Sequence, residues 1–461
     1  MADVFSQSPQ AILKQMFLPM ALGFMMLMLI DFTDVVIAQM ISDHALAILS
    51  YCFPIIYFIL AAGIGLNQGL TIVGSRVYVS DKDELWSYVW HTVCLAMLLT
   101  FALVLLVSLG LSMQWVDPNF IPYMNEISSF IYRIMFAIFP MFLLLILCAL
   151  VQIQCRTHII RDTLVIMLGA TLLLHPLIAL PLSTESLLNG IQPLLDLEFL
   201  NGSGKLIGLG LGLNGIAISK CIVTAVGIIF AAKNGLSGVA INDFKLSRSK
   251  FYRLGKNVFP AISIQLLIPI YLYALNLFVA DYGILATAGF GLGYRIAMLI
   301  VVPVLAVLIA LMVLISHYHE EKAYAALKTV LDMAIKKGCG IIFFILFITA
   351  LVSSYLMSWF GITPEIAQVA SSYLWLTVIL TIFEYIVGVV VVLYQAMLQP
   401  AKALLMALTK TIIFPIPALF IANYFGSSII SIWFALLSAF SISGIIALYR
   451  LRQENKKWAA A

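Results

Sequence analysis

The sequence predicts an all-α integral membrane protein: twelve transmembrane helices in two six-helix lobes related by a parallel pseudo-two-fold repeat. Three observations predict it. The composition is 63% hydrophobic and only 10% charged over 461 residues, with a mean hydropathy of +1.09, whereas a soluble domain is about half apolar and a quarter charged. Apolar stretches long enough to cross a hydrocarbon layer of ~30 Å recur along the chain. An internal repeat joins Phe17-Leu18-Pro19 to Val258-Phe259-Pro260, and Val73-Gly74-Ser75 to Leu314-Ile315-Ser316, both at an offset of 241 residues.

The spans fall near 14–41, 46–74, 88–113, 125–151, 162–182, 206–232, 256–281, 284–316, 333–358, 367–396, 404–424 and 427–450. Basic residues crowd alternate connections: Arg76 and Lys82, then Arg156 and Arg161, then the stretch Lys233–Lys256, then Lys322–Lys337, then Lys402. The other connections hold only Lys205. The positive-inside rule then places both termini in the cytoplasm. The chain divides as 1–232 (first lobe), 233–255 (a basic cytoplasmic linker) and 256–461 (second lobe and short tail). Six spans per half give both halves one orientation, the arrangement in which an axis along the membrane normal relates the two lobes, with alternating access between them as the natural mechanism.

Several patterns carry no chemistry. Gly210-x-Gly212-x-x-Gly215 spells a dinucleotide fingerprint but opens a membrane helix instead of following a strand; close helix packing is the reading, as it is for Gly65 and Gly69. His317, His319 and Glu320 read as a solvated helix end, because a spacing of two puts the imidazoles on different sides. Asn201-Gly-Ser203 fits a glycosylation acceptor. The six cysteines share no metal spacing and imply no disulfide. No nucleophile–base or phosphate-cradling motif is present, so an enzyme reading lacks support; neither a cofactor nor a nucleic-acid partner is expected.

The charges inside the spans are the functional candidates. A charge at the centre of a bilayer helix costs about 2.5–3.5 kcal/mol on insertion scales, so it persists only paired, neutralised or facing water. Asp31 and Asp34 lie one turn apart in the first span, and Lys220 sits in the middle of the sixth. Two carboxylates so close do not both ionise cheaply without a cation nearby. Pro19, four turns before Asp34, frees a carbonyl and permits bending. In the second lobe Arg295 and Glu384 are expected to pair, and Lys410 to snorkel to the cytoplasmic interface.

Leu18-Pro19, Ile30-Asp-Phe-Thr-Asp34 and Ala61-Ala-Gly-Ile-Gly-Leu-Asn-Gln-Gly69 resemble the first two helices of the multidrug and toxin extrusion (MATE) transporters. Ala288-Gly-Phe-Gly-Leu-Gly-Tyr-Arg295 is similar to the eighth helix of their DinF-type branch. The resemblance implies an inner-membrane antiporter, working as a monomer in the lipid bilayer, that exports organic cations against protons, or less readily sodium. It places the family's first-helix aspartate on Asp34 and its bending proline on Pro19. The chain departs from the family where Thr171-Leu-Leu-Leu-His175-Pro176 replaces the fifth-helix Asn-x-x-x-Asp-Pro, and where Lys220 replaces a threonine. Asp34, Asp31, Thr171, His175 and Lys220 are therefore the expected coupling and binding residues, with His175 as the titrating group. The alternative is a flippase or exporter of an anionic or lipid-linked substrate that uses Lys220 and Arg295.

Overall fold

A computed structural model describes residues 9–80, 84–113, 123–181, 208–236, 247–359, 364–426 and 428–460. Lys82, Asn201–Ser203, Lys205 and the linker segment 237–246 lie outside the described residues. The helices are α1 (Pro9–Ile41), α2 (Asp43–Ser80), α3 (Glu84–Ser112), α4 (Met124–Ile153), α5 (His158–Ala179) and α6 (Gly212–Gly235) in the first lobe. The second lobe holds α7 (Arg248–Ala280), α8 (Ile284–Glu320), α9 (Tyr324–Trp359), α10 (Pro364–Ala396), α11 (Pro400–Leu408), α12 (Pro415–Phe425) and α13 (Ile429–Ala460). A π-helical turn, Thr409–Ile413, joins α11 to α12. Those two form one crossing, so the described residues hold twelve crossings and no strand.

Lipid-facing sides are apolar because bulk hydrocarbon replaces water as the solvent. On α1 the exposed residues Leu18, Leu22, Met25, Leu29, Phe32 and Val36 recur every three or four positions and form one stripe. The opposite side of α1 meets protein. In contrast, α2 and α10 are buried along most of their inner length, including Leu66–Val77 and Tyr385–Ala396, and serve as the axes of their lobes.

The packing repeats the sequence symmetry. In the first lobe α1 packs on α5, α2 on α4, and α6 on both α4 and α5; in the second, α7 packs on α11, α8 on α10, and α13 on α10 and α12. Between lobes α2 meets α7 and α1 meets α8, contacts that interchange when the lobes are exchanged. The α2–α7 contact is made by glycine: a Cβ at Gly65 would strike Ile262, and one at Gly69 would lie 2.7 Å from the Val258 Cα. This is the small-residue approach expected of that pair.

Polar contacts between the lobes gather at the end that holds the start of α1. Arg76 donates to Glu320 Oε2 at 2.6 Å and approaches His319 Nδ1 at 3.2 Å; it also donates to the Ala396 carbonyl. Lys250 pairs with Glu84 at 3.0 Å, and Ser247 N–H donates to His91 Nε2 at 2.9 Å. Beside them Met20 and Ala21 of α1 pack on Ala306 of α8. These polar contacts tie the two lobes together at this end. The histidine–glutamate run is thus part of an inter-lobe junction and not the solvated helix end expected: His317 is buried beside Glu321 at 3.3 Å. The reason is tertiary, since the end of α8 abuts the end of α2.

Candidate functional site

Three helices bring the first lobe's charges together. Gly23 of α1 sits over Leu164 and Arg161 of α5, and a Cβ at Gly215 of α6 would lie 2.6 Å from the Ala179 Cα of α5. Asp34 Oδ1 receives His175 Nε2 at 2.9 Å, and its other oxygen pairs with Lys220 Nζ. His175 Nδ1 stands 3.0 Å from Ser219 Oγ, which is also 3.0 Å from the Ile216 carbonyl. The His175 side chain is 0% exposed and that of Asp34 6%, while Lys220 is 24% exposed. The lysine is the most exposed member of the set.

The cluster accommodates two protonation states without moving a heavy atom. With neutral His175, Nε2–H donates to Asp34 and the Ser219 hydroxyl donates to Nδ1. With the imidazolium, Nδ1–H donates to Ser219 Oγ, and the hydroxyl hydrogen turns to the Ile216 carbonyl. Ser219 was absent from the expected set, although its place immediately before Lys220 in a buried helix was the available signal.

The remaining expected residues are not all part of the cluster. Thr171 is one turn from His175, but its hydroxyl donates to the Met167 carbonyl at 2.8 Å. Asp31 is half-buried on α1, within reach of the charges of Lys220 and Asp34, and makes no hydrogen bond or ion pair among the described residues. Pro19 lies inside α1 beside the α1–α8 contact. Arg133, which the sequence reading passed over, ties α4 to α6 through Asn214 Oδ1 at 2.8 Å.

In the second lobe the expected Arg295–Glu384 pair does not form. Glu384 of α10 pairs with Lys410 at 2.7 Å, so Lys410 does not snorkel either. The physical reason is helix rotation. A Cβ at Gly289 would crowd Val369 of α10, and one at Gly293 would crowd Ala370 and Tyr373. Arg295 therefore points away from α10, and it is exposed. Lys410 sits in the π turn, a feature frequent at functional sites. The Glu384 charge acts on Tyr271, Tyr294, Tyr373 and Tyr57. Tyr57 also feels Asp31, which places it between the two lobes' acids.

Among the described residues no group of histidine, cysteine and acidic side chains is arranged to hold a metal ion.

No curated protein sequence matches the chain. Its fold is similar to an outward-facing multidrug-resistance MATE family transporter of the MOP superfamily: TM-score 0.83, 16% identity, 99% of this chain and 98% of that one covered. It is similar to the Vibrio cholerae MATE transporter VcmN in the bent form: TM-score 0.81, 19% identity, 98% of each chain covered. It is also similar to a MOP superfamily transporter from Pyrococcus furiosus: TM-score 0.82, 17% identity, 98% and 97% covered. These likenesses do not single out the DinF-type branch. The sequence model of the MatE family matches twice, over residues 19–180 and 260–425, with starts separated by the same offset as the internal repeat. With both lobes matched and the polar core of the first lobe in place, the chain belongs to the MatE family of membrane transporters.

Proposed function

We propose that this transporter is a monomeric proton-coupled antiporter of the cytoplasmic (inner) membrane that exports hydrophobic organic cations by alternating access, with Asp34, His175 and Lys220 as the coupling set. The observation that carries the reading is the Asp34 carboxylate, held by His175 on one oxygen and by Lys220 on the other. In a low-dielectric interior that carboxylate needs a cation or a proton. Lys220 occupies the place of cationic cargo on a tether. A proton arriving at Asp34 removes its charge, and the Lys220 ammonium swings to the cleft; departure of the proton restores the pair. The His175–Ser219 exchange gives the proton a second resting place.

The positive-inside rule makes the Arg76–Glu320 end cytoplasmic, so on this reading the polar junction between the lobes closes the cytoplasmic side. Pro19, which leaves the Gln15 carbonyl without its helical donor, is the bending point that lets α1 follow the lobe. The direct test is efflux of ethidium from reconstituted vesicles under imposed proton or sodium gradients. Proton-driven exchange that disappears in Asp34→Asn supports the reading. Equal exchange under sodium alone replaces the proton with sodium.

A second reading, export or flipping of an anionic or lipid-linked substrate, is favoured by one observation: Lys220 and Arg295 are both cations within the spans that keep exposed surface. For the Pyrococcus furiosus transporter a reversed polarity of the binding pocket is said to suggest a different function. Exchange of no cation under either gradient selects this reading.

A further inference from the structure

Helix α13 is longer than a bilayer requires. Its 32 residues span about 48 Å at 1.5 Å per residue, against a hydrocarbon core of ~30 Å. Its last turns stand beyond the hydrocarbon, at the end of the molecule that holds the Arg76–Glu320 contact. There Trp458 stacks on Tyr324 of α9, with ring centroids 6.4 Å apart. This extension is fixed to the second lobe. Leu451 belongs to that lobe's core and Trp458 packs against it, while Glu454 is buried and pairs with Lys457 at 2.8 Å. Leu451, Glu454 and Trp458 recur every three or four residues and make one inward face.

The outward face keeps the same rhythm. Phe434, Ser438, Ile442, Ile445 and Tyr449 are exposed and form a lipid-facing stripe. Arg452 and Lys456 continue that stripe and are also exposed. Its order is apolar, then aromatic, then cationic, which is the order of hydrocarbon, interface and headgroup layers. Neither Arg452 nor Lys456 makes a hydrogen bond or ion pair among the described residues. Like charges four residues apart on a helix repel one another. The docked inner face prevents the turn from rotating to relieve this, and its acid, Glu454, is committed inward. A helix C-terminus favours cations in its last turn, but Arg452 lies two turns before the end of α13.

We infer that Arg452 and Lys456 bind the phosphate of an anionic phospholipid, whose glycerol region meets Tyr449 and whose acyl chains lie along Ile445 and Ile442. Basic clusters just beyond a membrane helix attract anionic lipid in this way. An anion between the two cations removes their repulsion, and a lipid phosphate arrives with chains that cover the stripe below. Arg452 is the specificity-determining member, because its planar guanidinium donates two parallel hydrogen bonds to phosphate oxygens. A phosphatidylcholine phosphate carries its own cation beside it and gains less from the pair. The bound lipid moors the second lobe to the leaflet. The inference rests on the chain spanning a bilayer and is independent of the cargo and the coupling ion.

The test is native mass spectrometry of the full-length protein in detergent, titrated with phosphatidylglycerol and phosphatidylcholine of identical acyl chains. The expected result is tighter binding of phosphatidylglycerol by the wild type. The double variant Arg452→Gln, Lys456→Gln should shrink that preference by about tenfold, the size of one lost charged hydrogen-bonding partner. Arg452→Lys should retain part of it. Lys336→Gln removes an exposed cation of α9 and should leave the preference unchanged. Thermal unfolding in phosphatidylcholine should be the same for every variant, because all three side chains are exposed. Equal binding of the two lipids by the wild type, or an unchanged ratio in the double variant, overturns the site. A loss in Lys336→Gln as large as in the double variant overturns it in favour of diffuse charge. Displacement of phosphatidylglycerol by equimolar glycerol 3-phosphate overturns the lipid as occupant and leaves a site for soluble phosphate.

Discussion

The two lobes share a helix plan and differ in how they hold charge. In the first, Asp34 is sealed among three helices and contacts two partners, of which Lys220 is the more exposed. In the second, Glu384 and Lys410 form a simple pair, with side chains 31% and 18% exposed, among tyrosines. A sealed, multiply bonded carboxylate changes charge in large discrete steps, because each state must satisfy every partner. An exposed pair is screened and adapts gradually. On the proposed reading, the difference places energy coupling in the first lobe.

The largest test of that division is Asp34→Asn. It should reduce proton-driven exchange by about a hundredfold or more, the scale on which losing a positioned proton carrier acts. Exchange at wild-type rates would end the assignment. Lys220→Thr comes next. It should lower exchange by about tenfold, since one buried partner is lost, and change the pH profile of transport, because the charge beside Asp34 is removed. Wild-type transport with an unchanged profile would show that the lysine is only a static pair. Glu384→Gln should raise the KM for cargo by about threefold, as expected of a screened pair, and leave the pH profile in place; a moved profile would mean that coupling is shared between lobes. The smallest effect belongs to Ser219→Ala, which should slow proton exchange by about threefold, the weight of one neutral hydrogen bond, with little change in cargo KM.

The site was legible to the extent that charge stands out against hydrocarbon. Asp34, His175 and Lys220 are conspicuous in apolar spans, and a bilayer leaves such groups few alternatives to meeting. Ser219 was marked only by its place before Lys220, because a serine in a membrane helix usually bonds its own backbone, as it also does here at Ile216; the contact with His175 depends on the rotation of α6. The Glu384 partner was missed for the same reason: hydropathy gives the spans but not which face of α8 turns toward α10. Arg76 and Glu320 escaped because, near helix ends, they look like ordinary interfacial charges. The fold needed less, since span length, the charge bias of the connections and the repeat each fix it from a different direction.

Gly65 and Gly69 have a consequence for the size of the opening. With no side chains of their own, they let α7 approach closely at Ile262 and Val258, so the two lobes meet there on a narrow bearing. The far end of α2 at Asp43 is 22 residues from Gly65, a lever arm of about 33 Å at 1.5 Å per residue. A tilt of about ten degrees at the bearing thus carries that end through about 6 Å, wider than the thickness of an aromatic ring. The aperture for a flat molecule is set by leverage, and a bulky side chain at Gly65 would shorten the stroke without touching a single charge.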